Sequence, residues 1–392
     1  MEESQTEDPI AELIINYHEL NTCVIDEFDE EPSALEFMRF VARNTPFVVR
    51  GAALNWEATR TWNVDYLKEV LGEEPVNIAV TPAGNADAPT PYVHPDGTTA
   101  LVFAKPHEEH QPFTTFLSYL TAQENHPPQS PSEPSPPLGK TTTTTTTATT
   151  ATATATATTT TTTATAGTEI RYAQTQNDNL RHEYRTLFAA VPPSIPWARI
   201  ALARDPDAIN LWIGNSRSVT ALHKDNYENV YVQVAGRKHF VLLPPVCQPA
   251  VGERALRSAV YVRGDTDGKE EGKDGQERKE KSGREGRSEL KLVLEGEDEV
   301  VPFATWDPDR PEENVTPYSA LVQPMRVTLN PGDMLYLPCM WYHKVAQSCS
   351  PEGVCIAVNY WYDMDFTGPL YPLSTFVRSV ANKGNGARQR QA

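Results

Sequence analysis

Residues 219–245 read VTALHKDNYENVYVQVAGRKHFVLLPP, and this stretch decides the fold class. Apolar and β-branched residues run from Asn229 to Val234 and from His239 to Leu243, with Gly236 between the two runs. Such a pattern predicts a hairpin of two strands. His223 and Asp225 stand two positions apart at what looks like the start of a strand. Because alternate residues of a strand point to the same face, we expect these two side chains to converge.

Further short apolar segments follow or precede this hairpin, and glycine and proline separate them. We predict strands over Ala208 to Ile213, Arg326 to Leu329, Met334 to Leu337 and Val354 to Trp361. Many short strands without helices between them favour an antiparallel sandwich or barrel.

The N-terminal third has a different pattern. An apolar period near that of a helix begins at Leu35 and passes into a β-branched run that ends at Val49. A second helix is predicted over Val64 to Leu71, and a strand over Val76 to Val80. We therefore expect a mainly β protein with α elements, in which a mixed α/β region over residues 1–126 packs on a catalytic β domain over residues 168–392.

Two segments have compositions that cannot form a core. Residues 127–167 are rich first in proline and then in threonine and alanine, and residues 264–289 mix both charge signs without an aliphatic or aromatic side chain. Because neither segment has large apolar side chains to bury, we predict that both are disordered insertions.

Composition limits the cellular context and the partners. The 392 residues contain no apolar run long enough to span a bilayer, and the N-terminus is acidic where a signal peptide would be basic. We expect a cytoplasmic protein, with the nucleus as a second location. The formal net charge is −18, and twelve acidic residues precede the first basic one, Arg39. This balance disfavours nucleic acid and anionic membranes, and it suits a cationic protein partner.

A third candidate metal ligand lies far downstream of the hairpin. Residues 329–345 read LNPGDMLYLPCMWYHKV, in which a turn leads into an apolar strand, Pro338 breaks the strand, and His343 follows. Two histidines and one carboxylate on one face of Fe(II) leave three positions open, for a bidentate cosubstrate and for O2. His223, Asp225 and His343 are therefore our candidate catalytic metal ligands.

Two other histidine motifs are weaker candidates for a metal site. His94-Pro95-Asp96 repeats the spacing, but Gly97 makes it a turn that has no strand to align the side chains. Residues 107–110 read HEEH between Pro106 and Pro112, which leaves room for one helical turn at most. We interpret HEEH as a solvated charge run.

The cosubstrate needs a cation for its far carboxylate, and the predicted hairpin supplies one. Lys238 would lie on the second strand, near the metal, and the hydroxyl of Thr220 can add a hydrogen bond. A lysine in a barrel interior needs an anionic partner, which the cosubstrate would provide.

Together, the motifs resemble the Jumonji-C (JmjC) family of cupin-like oxygenases. The similarity is carried by HKDNYENVYVQVAGRKHFVLLPP (223–245), NPGDMLYLPCMWYHKV (330–345) and IAVNYWYDM (356–364). It continues through segments such as FVVRGAALNWEATRTWNVDYLKEVLG (47–72), and it covers most of the chain except the extreme N-terminus and the two insertions.

The resemblance implies a double-stranded β-helix core of the cupin or jelly-roll type, with Fe(II) at the three candidate ligands. It implies 2-oxoglutarate and O2 as cosubstrates, the former held by Lys238 with help from Tyr172 and Thr220. Asn229 and Asn359 match polar positions near the cosubstrate, although core amides that are satisfied by neighbours are an equal alternative for both.

The resemblance also implies an activity, because the family includes protein lysyl hydroxylases. The implied partner is a protein with a target lysine, such as a translation-related GTP-binding protein, and the implied products are succinate and CO2. A homodimer is a further expectation. Two alternatives stay open: a JmjC-type demethylase or peptidase acting on histone tails, and a catalytically silent cupin-fold scaffold.

Overall fold

The computed structural model describes residues 8–125, 169–264, 289–296 and 298–388. The predicted insertion at 127–167 lies outside the described residues, as does all but the two ends of the predicted insertion at 264–289. Their disorder, and the proposed domain boundaries, stay predictions.

Helices lie mainly before and after the strands that form the core. The α-helices are α1 (Pro9–Leu20), α2 (Ala34–Arg43), α3 (Glu57–Thr61), α4 (Val64–Leu71), α5 (Phe113–Asn125), α6 (Pro196–Leu202) and α7 (Leu370–Arg388). Short 3-10 helices cover Arg185–Ala190, Pro245–Ala250 and Ser319–Leu321. In the described part of the chain, no helix is both long enough and apolar enough to cross a membrane.

Strands make up most of the remaining regular structure. They are β1 (Asp26–Phe28), β2 (Phe47–Val49), β3 (Pro75–Thr81), β4 (Ala88–Val93), β5 (Thr99–Lys105), β6 (His107–Pro112), β7 (Ile170–Tyr172), β8 (Ala208–Gly214), β9 (Thr220–Lys224), β10 (Tyr227–Ala235), β11 (Arg237–Leu243), β12 (Arg254–Arg263), β13 (Leu290–Leu294), β14 (Val300–Phe303), β15 (Met325–Leu329), β16 (Met334–Leu337), β17 (Tyr342–Ser348) and β18 (Cys355–Asp363).

Two facing sheets form the core. The large sheet has the order β1-β2-β16-β10-β18-β8, and the small sheet has the order β15-β11-β17-β9. The β10–β11 hairpin crosses from one sheet to the other, and the rings of Tyr231 and Phe240 meet between them with centroids 5.1 Å apart. Trp212, Leu329 and Leu335 are buried in the same inner layer. This arrangement is the jelly-roll core of a cupin-like protein, as predicted.

The outer face of the large sheet is covered by the N-terminal helices. Alternation along β10 turns Val230 and Val232 to this side, where they join a second apolar cluster. Phe37 of α2 packs edge-on against Tyr336 of β16, with ring centroids 4.8 Å apart. The mixed α/β region therefore buries its apolar faces on the barrel.

The turn between β15 and β16, Asn330 to Asp333, connects the mixed α/β region to the core. The buried carboxylate of Asp333 accepts hydrogen bonds from the Gly51 backbone N–H at 3.0 Å and from the Arg50 guanidinium at 2.7 Å. Arg50 also forms an ion pair with Glu27 next to β2. A charge-assisted hydrogen bond to a buried carboxylate holds its geometry tightly, so the turn orients β2 beside β16 in the large sheet.

Two smaller sheets extend the barrel at one end. One has the order β13-β12-β5-β4, with β14 paired to β12, and the other has the order β6-β3-β7. An isolated bridge joins Ala173 to Ile213 of β8, which places the end of β7 beside the large sheet.

One sequence expectation for the secondary structure is wrong. The HEEH segment forms strand β6, paired with β3 in the register Ala79↔Glu108, and not a helical turn. Pro112 stands at the end of the strand, so its missing N–H does not interrupt the ladder. Among the described residues, only the short 3-10 helices Pro245–Ala250 and Ser319–Leu321 lie between the strands that were predicted from Ala208 to Trp361, and α6 lies before the first of these strands.

The hairpin turn at Gly236 yields a stability prediction. Gly236 has φ of +69°, and a Cβ there would lie 2.6 Å from the Ser348 carbonyl oxygen. Gly97 also has a left-handed φ, +85°, but a Cβ there would meet nothing within 4 Å. We expect Gly97→Ala to lower the free energy of unfolding by about 1–2 kcal/mol and Gly236→Ala by about 2–4 kcal/mol, since only the latter adds overlap to strain. Urea titration measures both, and equal losses would contradict the packing at Gly236.

Candidate active site

The three candidate ligands meet where β9 pairs with β17. His223 and His343 are direct register partners, and their ring centroids are 4.1 Å apart. Asp225 follows β9, and its Oδ2 lies 3.7 Å from His223 Nε2 and 3.6 Å from His343 Nε2. One ligand atom from each of the three residues fits within 4.8 Å of the others, which is the spacing of groups that share a metal ion.

The position of the His-x-Asp motif differs from the sequence expectation. His223 lies near the end of β9 and Asp225 in the turn before β10, and not at the start of a strand. Asp225 is held there because its carbonyl oxygen accepts a hydrogen bond, 2.7 Å long, from the N–H of Met340. Met340 has a left-handed φ of +65°, so the turn that precedes His343 also fixes Asp225.

Both histidines are oriented by backbone carbonyl groups. Nδ1 of His223 lies 2.8 Å from the Ala221 oxygen, and Nδ1 of His343 lies 3.1 Å from the Trp341 oxygen. When Nδ1 carries the proton and donates it to a carbonyl, Nε2 presents its lone pair to a metal. Burial, together with His223, lowers the pKa of His343 to about 4, so this imidazole is neutral at physiological pH, as a metal ligand must be.

One pocket contains these candidate ligands, and all eight residues predicted from the sequence line it. They are Tyr172, Thr220, His223, Asp225, Asn229, Lys238, His343 and Asn359. The structure therefore brings together residues from strands β7, β9, β10, β11, β17 and β18 and from the turn after β9.

Lys238 lies deep in this pocket. Only 2% of the residue is exposed, and its Nζ donates a hydrogen bond, 2.8 Å long, to the Tyr172 hydroxyl. Burial acts to lower the pKa of Lys238, whereas the hydrogen bond that its Nζ donates to the Tyr172 oxygen favours the charged form. Within the described residues, no carboxylate lies within salt-bridge distance of it. A buried ammonium without a counterion is costly, so the pocket is built for an anionic ligand.

Asn229 and Asn359 form part of a polar wall. Trp212 Nε1 donates to the Asn359 side-chain oxygen at 2.9 Å, and Asn359 Nδ2 donates to Asn229 Oδ1 at 3.2 Å. The two expectations for these amides are thus compatible, because each amide has a partner and also faces the pocket.

Sequence analysis missed several aromatic and polar lining residues. Tyr231 and Trp361 are two positions from Asn229 and Asn359 on the same strands, so strand alternation alone could have found them. Trp361 stacks on the ring of Tyr227 at a centroid distance of 4.7 Å. Gln176 lies in a segment without regular structure, and no pattern in the sequence indicated it.

The two weaker histidine motifs are placed away from any ligand cluster. His94 begins a turn in which its carbonyl oxygen accepts a hydrogen bond from the Gly97 N–H. Asp96 is fully exposed, and its carboxylate accepts a hydrogen bond from the Thr98 N–H. In HEEH, His107 and His110 point to opposite faces of β6. Among the described residues, the only group with the geometry of a metal site is the His223, Asp225 and His343 cluster.

This donor set fits Fe(II) with 2-oxoglutarate. Two imidazoles and one carboxylate are the ligand set of many non-haem iron oxygenases, and here all three line one pocket. The uncompensated Lys238 ammonium fits the far carboxylate of a dicarboxylic cosubstrate. The fold and the site thus define a metal-dependent oxygenase of the cupin type.

Comparison with known proteins gives the same class. The profile of the cupin-like domain matches residues 32–368. The chain therefore belongs to the cupin-like JmjC family, whose members are Fe(II)- and 2-oxoglutarate-dependent oxygenases.

Three relatives cover most of the chain. The human bifunctional peptidase and (3S)-lysyl hydroxylase JMJD7 is 32% identical over 86% of this chain and 84% of its own length. Lysine-specific demethylase JMJ32 of Arabidopsis thaliana is 31% identical over 92% of this chain and 88% of its length. JmjC domain-containing protein E of Dictyostelium discoideum is 29% identical over 86% of this chain and 83% of its length.

The ligand assignment predicts how metal affinity responds to substitution. We expect His223→Ala and His343→Ala each to weaken Mn(II) binding by more than about a hundredfold, since loss of a ligand should exceed the loss known for outer-shell partners. His94→Ala, in the other His-x-Asp motif, should bind like the wild type. Isothermal titration calorimetry measures all three, and a large loss in His94→Ala with none in His223→Ala would reverse the assignment.

Proposed function

We propose that this protein hydroxylates a lysine side chain of a partner protein, with Fe(II), 2-oxoglutarate and O2, and releases succinate and CO2. The observation that carries the proposal is the buried, unpaired Lys238 ammonium in the same pocket as the His223, Asp225 and His343 cluster. The choice of lysine is supported by the 32% identity to a human (3S)-lysyl hydroxylase.

The exposed fractions of the lining residues indicate which end of the pocket each proposed ligand would occupy. Lys238 is 2% exposed, whereas the side chains of His223 and Asp225 are 23% and 22% exposed. The cosubstrate would therefore lie at the closed end, with its far carboxylate on Lys238 and on the Tyr172 hydroxyl. A substrate side chain would reach the ligand cluster from the open end.

Bound Fe(II), with 2-oxoglutarate and O2, supplies the chemistry that inserts one oxygen atom into a C–H bond. The chain itself positions the reactants. His223, Asp225 and His343 would hold the ion on one side, and Lys238 would orient the cosubstrate. The apolar faces of Trp212 and Phe240 line the same pocket and limit the access of water.

The printed activities of the relatives give two rival functions. Demethylation of a methylated lysine, named for the Arabidopsis relative, would use the same ligands and the same Lys238. Peptidase activity, named for the human relative, has less support, because no serine or cysteine is among the described residues that line the pocket. A silent scaffold would not need the complete set of ligands. A translation-related GTP-binding partner and a homodimer remain expectations from the resemblance.

Mass spectrometry can separate these activities in one experiment. The purified protein is incubated with Fe(II), 2-oxoglutarate and ascorbate, and with lysine-containing peptides and methyl-lysine histone peptides. Hydroxylation adds one oxygen atom to a lysine, demethylation removes one methylene unit, and peptidase activity yields fragments. We expect the first product alone. Demethylated products or fragments, without oxygen addition, would contradict the proposed hydroxylase.

The depth of Lys238 predicts its effect on cosubstrate binding. We expect Lys238→Met to raise the KM for 2-oxoglutarate by about a hundredfold or more, because the far carboxylate would lose its cation inside the pocket. Tyr172→Phe should raise it by about tenfold, since it removes one hydrogen bond to a charged group. Lys383→Met, at an exposed position of α7, is the matched control and should leave the KM unchanged. If the KM for 2-oxoglutarate were unaltered in Lys238→Met, the proposal that 2-oxoglutarate binds at this end of the pocket would be wrong.

A further inference from the structure

A carboxylate outside the predicted site is held close to the metal ligands. Asp87 lies in the loop between β3 and β4, and this loop packs closely on the segment that leads into β9. The Gly84 carbonyl accepts a hydrogen bond, 2.8 Å long, from the Val219 N–H, and a Cβ on Gly84 would lie 2.0 Å from the Arg217 oxygen. The position of Asp87 relative to the strand that bears His223 is therefore fixed by backbone contacts.

The side chain of Asp87 is held by a segment that borders the pocket. Its Oδ2 accepts a hydrogen bond, 3.0 Å long, from Gln174 Nε2, and Gln174 lies between two lining residues, Tyr172 and Gln176. Burial raises the pKa of Asp87, and His223 is close enough to act against this shift. A half-buried carboxylate thus lies beside the segment that contributes Tyr172 and Gln176 to the pocket, with Oδ2 held by a neutral amide.

Asp87 has no cationic partner. Within the residues that the structure describes, no lysine, arginine or histidine nitrogen lies within 4.0 Å of its carboxylate. Lys105 is near enough to influence its pKa, but the Lys105 ammonium lies 2.8 Å from Glu295 and is paired there. A partly desolvated carboxylate that keeps its charge without a partner is disfavoured, unless a ligand supplies the missing cation.

A second carboxylate lies on the same side of the pocket. In the sheet β6-β3-β7, Glu108 is opposite Ala79, and Ala79 is opposite Tyr172. Residues that are opposite each other across a sheet share a face, so the exposed Glu108 is on the face from which Tyr172 enters the pocket. The negative charge of Glu108 also acts to raise the pKa of Asp87.

We propose that Asp87, reinforced by the negative charge of Glu108, binds the ammonium group of the target lysine and makes the pocket selective for a cationic side chain. This inference rests on the proposed function and extends it to the residue that recognises the substrate. A lysine side chain would then present a C–H bond to the metal ligands while its ammonium lies against the Asp87 carboxylate. Lysine and an uncharged side chain of similar length are thereby distinguished.

Asp87→Asn is a suitable variant because it changes the charge and little else. Asp87 has a φ of +53°, a conformation that asparagine adopts more readily than most other residues. The amide oxygen of asparagine can still accept the hydrogen bond from Gln174. Asp96→Asn is the matched control, since it removes the same charge from the fully exposed turn of the β4–β5 hairpin.

The test measures binding rather than turnover. Full-length protein, loaded with Zn(II) and 2-oxoglutarate, is offered two peptide pools with randomised flanks that contain no lysine or arginine. One pool has a central lysine, and the other has a central norleucine. We expect the wild type and Asp96→Asn to retain the lysine pool about ten- to a hundredfold better, as for a hydrogen bond to a charged group, and Asp87→Asn to retain both pools alike.

Each other outcome contradicts the inference. Equal retention of both pools by the wild type would show that the pocket does not select charge, and an intact lysine preference in Asp87→Asn would show that another group selects it. Oxygen addition to lysine is measured separately with Fe(II). If the lysine preference depends on Asp87 but no oxygen is added, the proposed cation site would stand and the proposed hydroxylase activity would be wrong.

Discussion

The buried ammonium of Lys238 is the constraint on which the site depends. An isolated charge in a protein interior costs several kcal/mol, and here the neighbours of the ammonium are phenol oxygens and a thiol rather than a carboxylate. The Tyr172 hydroxyl accepts a hydrogen bond from the ammonium but carries no negative charge to neutralise it. The fold therefore carries an unfavourable charge that only an anionic ligand relieves, and binding of a dicarboxylate at this position becomes favourable for the same reason.

The rest of the architecture places other groups at a fixed distance from that charge. The β10–β11 hairpin carries Asn229 on the large sheet and Lys238 on the small sheet, and β17, the neighbour of β11, carries His343 opposite His223. Because strand register fixes which residues are opposite each other, the metal ligands and the ammonium cannot shift independently. The His-Asp-His cluster and the Lys238 ammonium are thus held in one rigid frame, which is the condition for precise positioning of a ligand between them.

Much of this arrangement could be predicted from local patterns. The β10–β11 hairpin, β16 and α4 follow from alternation and turn residues, and the His-Asp-His cluster was proposed from the chemistry of its side chains. Local patterns failed where distant segments decide the structure. HEEH forms strand β6 because β3 offers a partner strand, and no element was predicted where α6 forms. Asp87 could not be found at all, because its place beside His223 depends on the contact between Gly84 and the segment before β9.

The central claim is that one pocket holds a divalent ion at the His-Asp-His cluster and a dicarboxylate on Lys238. Its most direct measurement is a crystal structure of the full-length protein grown with Mn(II) and 2-oxoglutarate, with anomalous data at a wavelength where manganese scatters. The account predicts a manganese peak bonded to Nε2 of His223, a carboxylate oxygen of Asp225 and Nε2 of His343, and a 2-oxoglutarate carboxylate on Nζ of Lys238. A manganese peak at other ligands, or a 2-oxoglutarate molecule that does not contact Lys238, would contradict it.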